Sequence, residues 1–319
     1  MAGIDTRRAV VAGIGGLAVA LLLVACGSSS DPEAGNNLPQ PAKHSNDSTA
    51  DGGKLGVVAA ENFWGNITAQ IGGDTVQVTS IISDPETDPH EYETNAADGA
   101  ALAAAGFVIE NGAGYDDFVD KLLKPSPKSD REVLNVADVV GAGNDPNPHL
   151  WYNPAYVTKA AQAIEAQLAK EDPAHASTFR ANLATFLTGE QQVVGVIDQI
   201  KAKYTGDKIA YTERVPGYLV DAAGLQLGTP ASFSQAIEDG NDPSPGDNAK
   251  FQLALKDHTV KALLYNAQVT SPITQKLKSL ATSSGVPVIG VTETMPPNEK
   301  NFQTWQADQA RALLAALGG

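Results

Sequence analysis

Short apolar runs of strand type alternate with helical segments along most of this chain, and this alternation limits the fold more than any other feature. In the first half, strand-like runs occupy residues 55–60, 76–82, 107–110 and 133–136. Segments with helical periodicity and helix start and stop signals separate these runs. Strands that alternate with helices predict a parallel sheet covered by helices.

The second half of the chain repeats this alternation after a long helical stretch. Strand-like runs recur at residues 208–212, 260–265 and 286–292. Between the two halves, residues 174–204 keep a helical period and would span roughly 45 Å. We therefore predict an α/β fold of two lobes, each a parallel sheet with flanking helices, bridged by one long helix.

The boundaries of the lobes follow from the same patterns. We predict a first α/β lobe at residues 54–152, helices that include the long one at residues 153–204, and a second α/β lobe at residues 205–319. Within the second lobe, a stretch rich in Pro, Gly and Asp at residues 239–248 is typical of a surface loop.

The N-terminal segment has the pattern of a bacterial lipoprotein. Arg7 and Arg8 precede an apolar run, as in a signal peptide. The sequence Leu23-Val24-Ala25-Cys26 resembles a lipobox, in which the cysteine is acylated and becomes the mature N-terminus. We expect residues 1–25 to be a signal peptide and residues 26–53, rich in Ser, Asn, Asp, Gly and Pro, to be a flexible tether. The protein is then extracytoplasmic and anchored to the cell membrane by a lipid on Cys26.

The charge of the chain excludes one class of partner. The sequence has 22 Lys and Arg against 37 Asp and Glu, a formal net charge of −15. Nucleic acid is a poor partner, because its phosphates would be repelled and no basic run interrupts the acidity. A negative field favours small cations instead. Cys26 is the only cysteine, so an intramolecular disulfide is excluded.

One short pattern occurs twice and carries the chemistry. Asp88-Pro89-His90-Glu91-Tyr92 is echoed by Asn147-Pro148-His149-Leu150-Trp151. Proline fixes its own φ and pushes the preceding residue to extended geometry, which holds each histidine on a stiff loop. The aromatic residue two positions on can pack beside the imidazole and exclude water. Because both loops follow predicted strands, where parallel sheets bind ligands, the pair of histidines indicates a metal site.

These loops resemble those of the metal-binding proteins of zinc and manganese ABC importers. The resemblance covers nearly all of residues 54–317. Beyond the two Pro-His loops it includes residues 107–112, Tyr152-Asn153-Pro154, Tyr211-Thr212-Glu213 and Gly217-Tyr218. It implies two α/β lobes bridged by one long helix, with the metal in the cleft between them and two ligands from each lobe.

Carried onto this sequence, the resemblance implies that His90, His149, Glu213 and Glu293 are the four metal ligands. The third position holds histidine in zinc-type members and often glutamate in manganese-type members, and here it is Glu213. The fourth position is usually aspartate, so Glu293 departs from the family pattern by one methylene. The residue pattern itself supports both glutamates, because each directly follows a predicted strand, where the crevice of a parallel sheet lies.

The sequence therefore predicts a binding protein and not an enzyme. It would capture a divalent transition-metal ion, Zn²⁺ or Mn²⁺, and deliver it to an ABC permease and its ATPase; we expect a monomer. Imidazoles suit zinc and carboxylates favour manganese, so the mixed ligand set leaves the metal open. Two alternatives are a metal-dependent hydrolase, because such ligands also activate water, and a surface adhesin. A metal ion with four protein ligands has no open coordination position, whereas a catalytic zinc site keeps one, and this argues against the hydrolase.

Overall fold

The computed structural model describes residues 49–50, 53–85, 87, 89, 92–142 and 147–319. Residues 46–319 form one compact unit. The predicted signal peptide, most of the predicted tether, Cys26 and His90 lie outside the described residues. Across the described part of the chain, no helix is both long enough and apolar enough to cross a membrane.

A sheet of five strands forms the first lobe. The strands are β1 (Thr49–Ala50), β2 (Lys54–Glu61), β3 (Val76–Ile82), β4 (Phe107–Glu110) and β5 (Glu132–Asn135). Parallel pairing runs in the order β3-β2-β4-β5. The two-residue β1 adds to the start of β2 in the antiparallel sense, a pairing that the predicted pattern does not contain.

Alternate side chains of β2 enter different layers of the core. Val57 and Ala59 belong to the main apolar cluster, whereas Val58 and Ala60 belong to a smaller cluster on the other face of the sheet. Helices cover both faces, as expected for a parallel sheet. The helices up to the end of the long one are α1 (Asn62–Gly72), α2 (Ala96–Ala104), α3 (Phe118–Leu123), α4 (Val136–Val140), α5 (Pro154–Glu171) and α6 (Ala176–Tyr204).

The second lobe repeats this arrangement. Its strands are β6 (Lys208–Tyr211), β7 (Gln226–Leu227), β8 (Leu263–Asn266) and β9 (Val288–Val291), all parallel in the order β7-β6-β8-β9. Its helices are α7 (Gly217–Ala222), α8 (Ala231–Glu238), α9 (Pro245–Lys256), α10 (Pro272–Ser283) and α11 (Phe302–Ala316). The predicted fold class, two lobes with parallel sheets and one long helix, is confirmed.

A continuous apolar core joins the two sheets. One cluster of buried side chains includes Phe63 of α1, Phe186 of α6, Ile209 of β6 and Trp305 of α11. It therefore extends from the first sheet, through the long helix and the last helix, to the second sheet. The carboxyl ends of the strands of both sheets lie beside this core and carry polar residues, which places the candidate site at the junction of the lobes.

One predicted loop is shorter than expected. The prediction of a loop at residues 239–248 is wrong for its second half, because α9 begins at Pro245. Ser244 caps this helix: its Oγ accepts a hydrogen bond from the backbone N–H of Asp247 at 3.0 Å. The first residue of a helix does not use its backbone N–H within the helix, so proline is well suited to that position. Ser-Pro is therefore a helix start despite the Gly and Asp around it.

A buried carboxyl group lies within the long helix α6. Glu190 is 2% exposed, and its Oε2 contacts no hydrogen-bond donor among the described residues. Burial raises the pKa of Glu190 to about 8. The side chain is therefore mostly neutral at pH 7 in the folded protein, whereas in the unfolded chain it is charged.

This glutamate predicts a pH dependence of stability. The unfolded state loses the Glu190 proton near pH 4.5 and the folded state only near pH 8, so its contribution to the free energy of unfolding falls as pH rises through that window. Glu190→Gln cannot ionise and should gain at least about 1 kcal/mol relative to wild type between pH 5 and pH 8. Urea denaturation of the metal-free proteins measures this. Glu171→Gln, an exposed change on α5, is the control. If the free energy of unfolding changes with pH in the same way in wild type and in Glu190→Gln, then the pKa of Glu190 is not raised in the folded protein.

Candidate metal centre

His149 is fully buried, and its ring is oriented by the residue two positions before it. Its Nδ1 lies 2.7 Å from Asn147 Oδ1, and the amide nitrogen of Asn147 donates to the backbone carbonyl of Arg214 at 3.1 Å. Because that nitrogen faces a carbonyl, Asn147 Oδ1 must face the ring, so His149 Nδ1 carries the proton. The lone pair is then on Nε2, as a metal ligand requires. Nε2 lies 3.5 Å from Glu293 Oε2.

The support for this ring crosses from one lobe to the other. The carbonyl that fixes Asn147 belongs to Arg214, the residue after Glu213 in the second lobe. The hydroxyl of Tyr218 also donates to the backbone carbonyl of Asn147, at 2.9 Å. Gly217 is required at this contact, because a Cβ there would lie 2.7 Å from Asn147 Nδ2.

Aromatic side chains enclose the imidazole on its other sides. The ring centroid of His149 lies 5.3 Å from that of Trp151 and 5.8 Å from that of Tyr115. Trp151 in turn stacks on Phe63 of α1 with centroids 4.0 Å apart. For the second Pro-His loop, the structure confirms that the aromatic residue two positions on packs beside the histidine. These contacts limit rotation of the ring and exclude water from it.

Glu213 and Glu293 each lie two residues after the end of a strand of the second sheet, β6 and β9, and both are buried, 1% and 0% exposed. A single amide bridges them. The Nδ2 of Asn266, at the end of β8, donates to Glu213 Oε2 at 2.8 Å and to Glu293 Oε1 at 2.7 Å. Two carboxylates held by one amide group in a buried position repel each other unless a cation or a proton lies between them.

The carboxylate of Glu293 also receives a hydrogen bond from the first lobe. The hydroxyl of Tyr115 donates to its Oε2 at 2.9 Å. This oxygen is the one that faces His149 Nε2. Glu293 therefore contacts an imidazole and a phenol of the first lobe and an amide of the second.

Three of the four predicted ligands lie among the described residues. Two of them are in contact, and the third is linked to one of these two through the side chain of Asn266. His149 and Glu293 form the pair, and Asn266 bridges Glu293 to Glu213. Restricted to the described residues, no three His, Cys, Asp or Glu side chains form a group that could hold a metal ion. His90, the fourth predicted ligand, lies outside those residues.

The turn that carries Tyr115 is held by the buried carboxylate of Asp116, and a second buried acidic residue, Glu61, lies near it. Asp116 accepts hydrogen bonds from the backbone N–H groups of Asn111 and Gly112, at 2.6 and 2.8 Å. Burial and the charge of Asp116 raise the pKa of Glu61 well above its usual value. Gly112 has φ +73°, and a Cβ there would lie 2.3 Å from the side chain of Asn135. The turn is thus fixed by its own hydrogen bonds, which positions Tyr115 toward Glu293.

A cleft of about 600 Å³ opens onto Glu213 from within the second lobe. Its lining includes Asp239 and Asp242 from the short loop before α9, and Gln268 and Ser271 from the segment between β8 and α10. The loop is therefore part of the approach to the candidate site.

The repeated Pro-His pattern pointed to His149, and the resemblance, with the ends of predicted strands, pointed to Glu213 and Glu293. Sequence reasoning missed Tyr115, Asn266 and Gln268, which the structure places around these side chains or their backbone. Asn266 carried the same signal as the glutamates, because it is the polar residue that ends a buried strand. Tyr115 had no such signal, since it acts from a turn of the other lobe.

Comparison with known proteins gives consistent matches. A sequence profile of the family described as "Zinc-uptake complex component A periplasmic" matches residues 57–316. The chain is 26% identical over 206 residues to the manganese-binding lipoprotein MntA of Halalkalibacterium halodurans, covering 59% of this chain and 68% of that one. It is 25% identical over 259 residues to the iron ABC transporter substrate-binding lipoprotein MtsA of Streptococcus pyogenes, covering 75% of this chain and 80% of that one.

Solved structures match the fold. The structure of the protein FpvC from Pseudomonas aeruginosa in complex with Mn²⁺ aligns with a TM-score of 0.68 at 21% identity. The alignment covers 83% of this chain and 98% of that one. The likeness supports the two-lobe architecture described above.

The orientation of His149 predicts the effect of a neighbouring residue on metal binding. Asn147→Ala removes the acceptor that fixes the Nδ1 proton, so divalent-metal affinity should fall about 10–100-fold. Competition with a chelating dye measures this change, and circular dichroism checks the fold. Asn182→Ala is the matched control, because Asn182 makes one side-chain hydrogen bond to a backbone carbonyl far from the site along the chain, that of Ile71. Equal affinities of Asn147→Ala and wild type would contradict the assigned role.

Proposed function

The chain belongs to the family of periplasmic zinc-uptake component A proteins, and we propose that it captures one divalent transition-metal ion outside the cytoplasm and delivers it to an ABC permease and its ATPase. The relatives reported above are named for manganese and iron, and the family for zinc. Proteins of this family bind and carry their substrate and are not enzymes, so the hydrolase alternative is wrong.

One observation carries the proposal. His149 Nε2, the nitrogen with the lone pair, faces the carboxylate of Glu293 at 3.5 Å, and the same carboxylate shares an amide donor with Glu213. A nitrogen donor and two carboxylates from three different loops are thus linked in one buried network, through the His149–Glu293 contact and the Asn266 bridge. A divalent cation would offset the repulsion between the two carboxylates and use the imidazole lone pair.

We propose His90, His149, Glu213 and Glu293 as the ligands. Two carboxylates balance the two charges of the ion, and two neutral imidazoles complete four-fold coordination, which leaves no open position for an activated water. Zn²⁺ and Mn²⁺ are the proposed cargoes. Imidazole nitrogen suits zinc and carboxylate oxygen suits manganese, so supply as well as affinity would decide which ion is carried.

The proposed location follows from the N-terminal sequence and from the names of the relatives. Both MntA and MtsA are described as lipoproteins. We propose that residues 1–25 are removed as a signal peptide, that Cys26 carries the lipid, and that residues 26–53 link it to the two lobes, 54–152 and 205–319, which the helices of residues 153–204 join. The protein would meet its permease as a monomer.

The proposal predicts one tight site per chain. Protein stripped with a chelator should bind about one equivalent of Zn²⁺ or Mn²⁺, and metal at a thousandfold excess over Kd should stabilise it by about 4 kcal/mol. His90→Ala and His149→Ala should each lose most of this affinity. His175→Ala, a change at a half-exposed histidine paired with Asp172, is the control. Absence of tight binding of zinc, manganese, iron and cobalt to wild type would overturn the proposed function.

The third ligand predicts a change in metal preference. Glu213→His replaces an anionic oxygen donor with a nitrogen donor, so the ratio of zinc to manganese affinity should rise at least about tenfold. Competitive titration with both metals measures the ratio. Glu171→His introduces a histidine on the exposed face of α5 and should leave it unchanged. If the ratio is the same in wild type and Glu213→His, then Glu213 is not a ligand.

A further inference from the structure

All the hydrogen-bonding capacity of the Gln268 side chain is used, and its partners lie in two different loops. Its Oε1 accepts from the backbone N–H groups of Glu293 and Thr294, the latter at 2.9 Å. Its Nε2 donates to the hydroxyl of Thr294 at 2.5 Å and to the backbone carbonyl of Pro85 at 2.8 Å. An amide offers two donor hydrogens and two acceptor lone pairs, so its orientation is fixed.

These two loops carry predicted ligands of opposite lobes. Glu293 and Thr294 follow β9 in the second lobe, and Glu293 is the proposed fourth ligand. Pro85 follows β3 in the first lobe, in the same loop as His90 and five positions before it. Gln268 itself belongs to a third segment, between β8 and α10. Its amide therefore joins the loop of the first ligand to the loop of the fourth across the junction of the lobes.

Other hydrogen bonds across this junction join the second lobe to α1 and not to the loop of His90. Asn62 of α1 makes two hydrogen bonds with the backbone of Met295, at 2.8 and 3.0 Å. One turn further along α1, Asn66 accepts from the backbone of Phe302 at 3.0 Å. These bonds hold the segment after Glu293 to the helix, but neither reaches the loop of His90.

We propose that Gln268 is an interlobe latch that sets how fast the bound metal leaves. This inference rests on the proposed function. For the ion to escape between the lobes, the loop of Glu293 and the loop of Pro85 must separate, and the amide of Gln268 bonds to both. Gln268 is a positioning residue and not a ligand, because both of its polar atoms are engaged by protein partners.

The position of Gln268 suits a latch that opens. It is partly exposed, and it lines the cleft of about 600 Å³ that also reaches Glu213. As the loops separate, water in that cleft can take the place of the partners of the amide, and this lowers the barrier to breaking the hydrogen bonds of Gln268. A fully enclosed amide would hold the loops but would not release them readily.

The test measures the rate at which zinc passes from the loaded, full-length protein to an excess of a chelating dye. Gln268→Ala removes the amide, and Gln268→Met removes it while keeping a side chain of similar length. Both variants should release zinc about tenfold faster than wild type, since the hydrogen bond to Pro85 is lost together with the three bonds that hold the amide to Glu293 and Thr294. The melting temperature of each metal-free variant is measured alongside, and the acceleration should exceed that of a control variant with an equal loss of melting temperature.

Two controls separate the latch from general loosening. Gln252→Ala removes a partly buried amide of α9 that bonds to Asn248 in the same helix. Gln70→Ala removes an amide of α1 that donates to Gln303 at 3.1 Å. This hydrogen bond does not involve the ligand loops. Both should release zinc at the wild-type rate.

The outcomes separate this inference from the function on which it rests. If wild type binds zinc tightly and both Gln268 variants release it at the wild-type rate, the latch is wrong and the proposed function stands. Equal acceleration in Gln70→Ala would also overturn the latch, because any interlobe contact would then have the same effect. If wild type binds neither zinc nor manganese, the proposed function itself fails.

Discussion

Two buried carboxylates that approach each other through a single amide impose the constraint on which the rest of the site depends. Glu213 and Glu293 accept from the same Asn266 nitrogen, and their desolvation and mutual repulsion must be offset locally. The surroundings supply one oriented donor, the Tyr115 hydroxyl on one oxygen of Glu293. His149, whose tautomer is set by Asn147, presents a lone pair to the same oxygen, so a cation between the two would meet the remaining need. The acidic turn at residues 111–116 and the Gln268 amide serve the same site. The turn positions Tyr115, which contacts the Glu293 carboxylate, and the amide accepts from the backbone N–H of Glu293.

The same constraint explains why the site lies where two parallel sheets meet. Parallel strands end together at one edge, and each edge exposes backbone and polar side chains that need partners. Placing two such edges against each other lets each lobe satisfy groups of the other, as Asn62 does for the backbone of Met295. The long helix and α11 then supply the apolar support behind the polar junction.

Much of this arrangement could be predicted from the sequence, and what escaped prediction has a common physical cause. Alternation of strand and helix patterns predicted the fold class, the repeated Pro-His loop predicted His149 as a ligand, and the resemblance together with the ends of predicted strands predicted Glu213 and Glu293. Asn266 and Gln268 act through bonds between segments distant in sequence, and no local pattern reports such bonds. The start of α9 was readable in principle, but local composition hid the Ser-Pro signal.

The continuous core has a consequence for how the molecule came to be built and how it can be taken apart. Phe63, Phe186, Ile209 and Trp305 bury their side chains in one cluster, so neither half encloses a complete interior of its own. A fragment that ended after the long helix would expose the apolar faces of α1 and α6 that α11 covers, and it would aggregate or stay molten. We therefore expect the two halves to unfold as a single cooperative unit, and a half taken from another protein would need an apolar surface that matches the one it replaces.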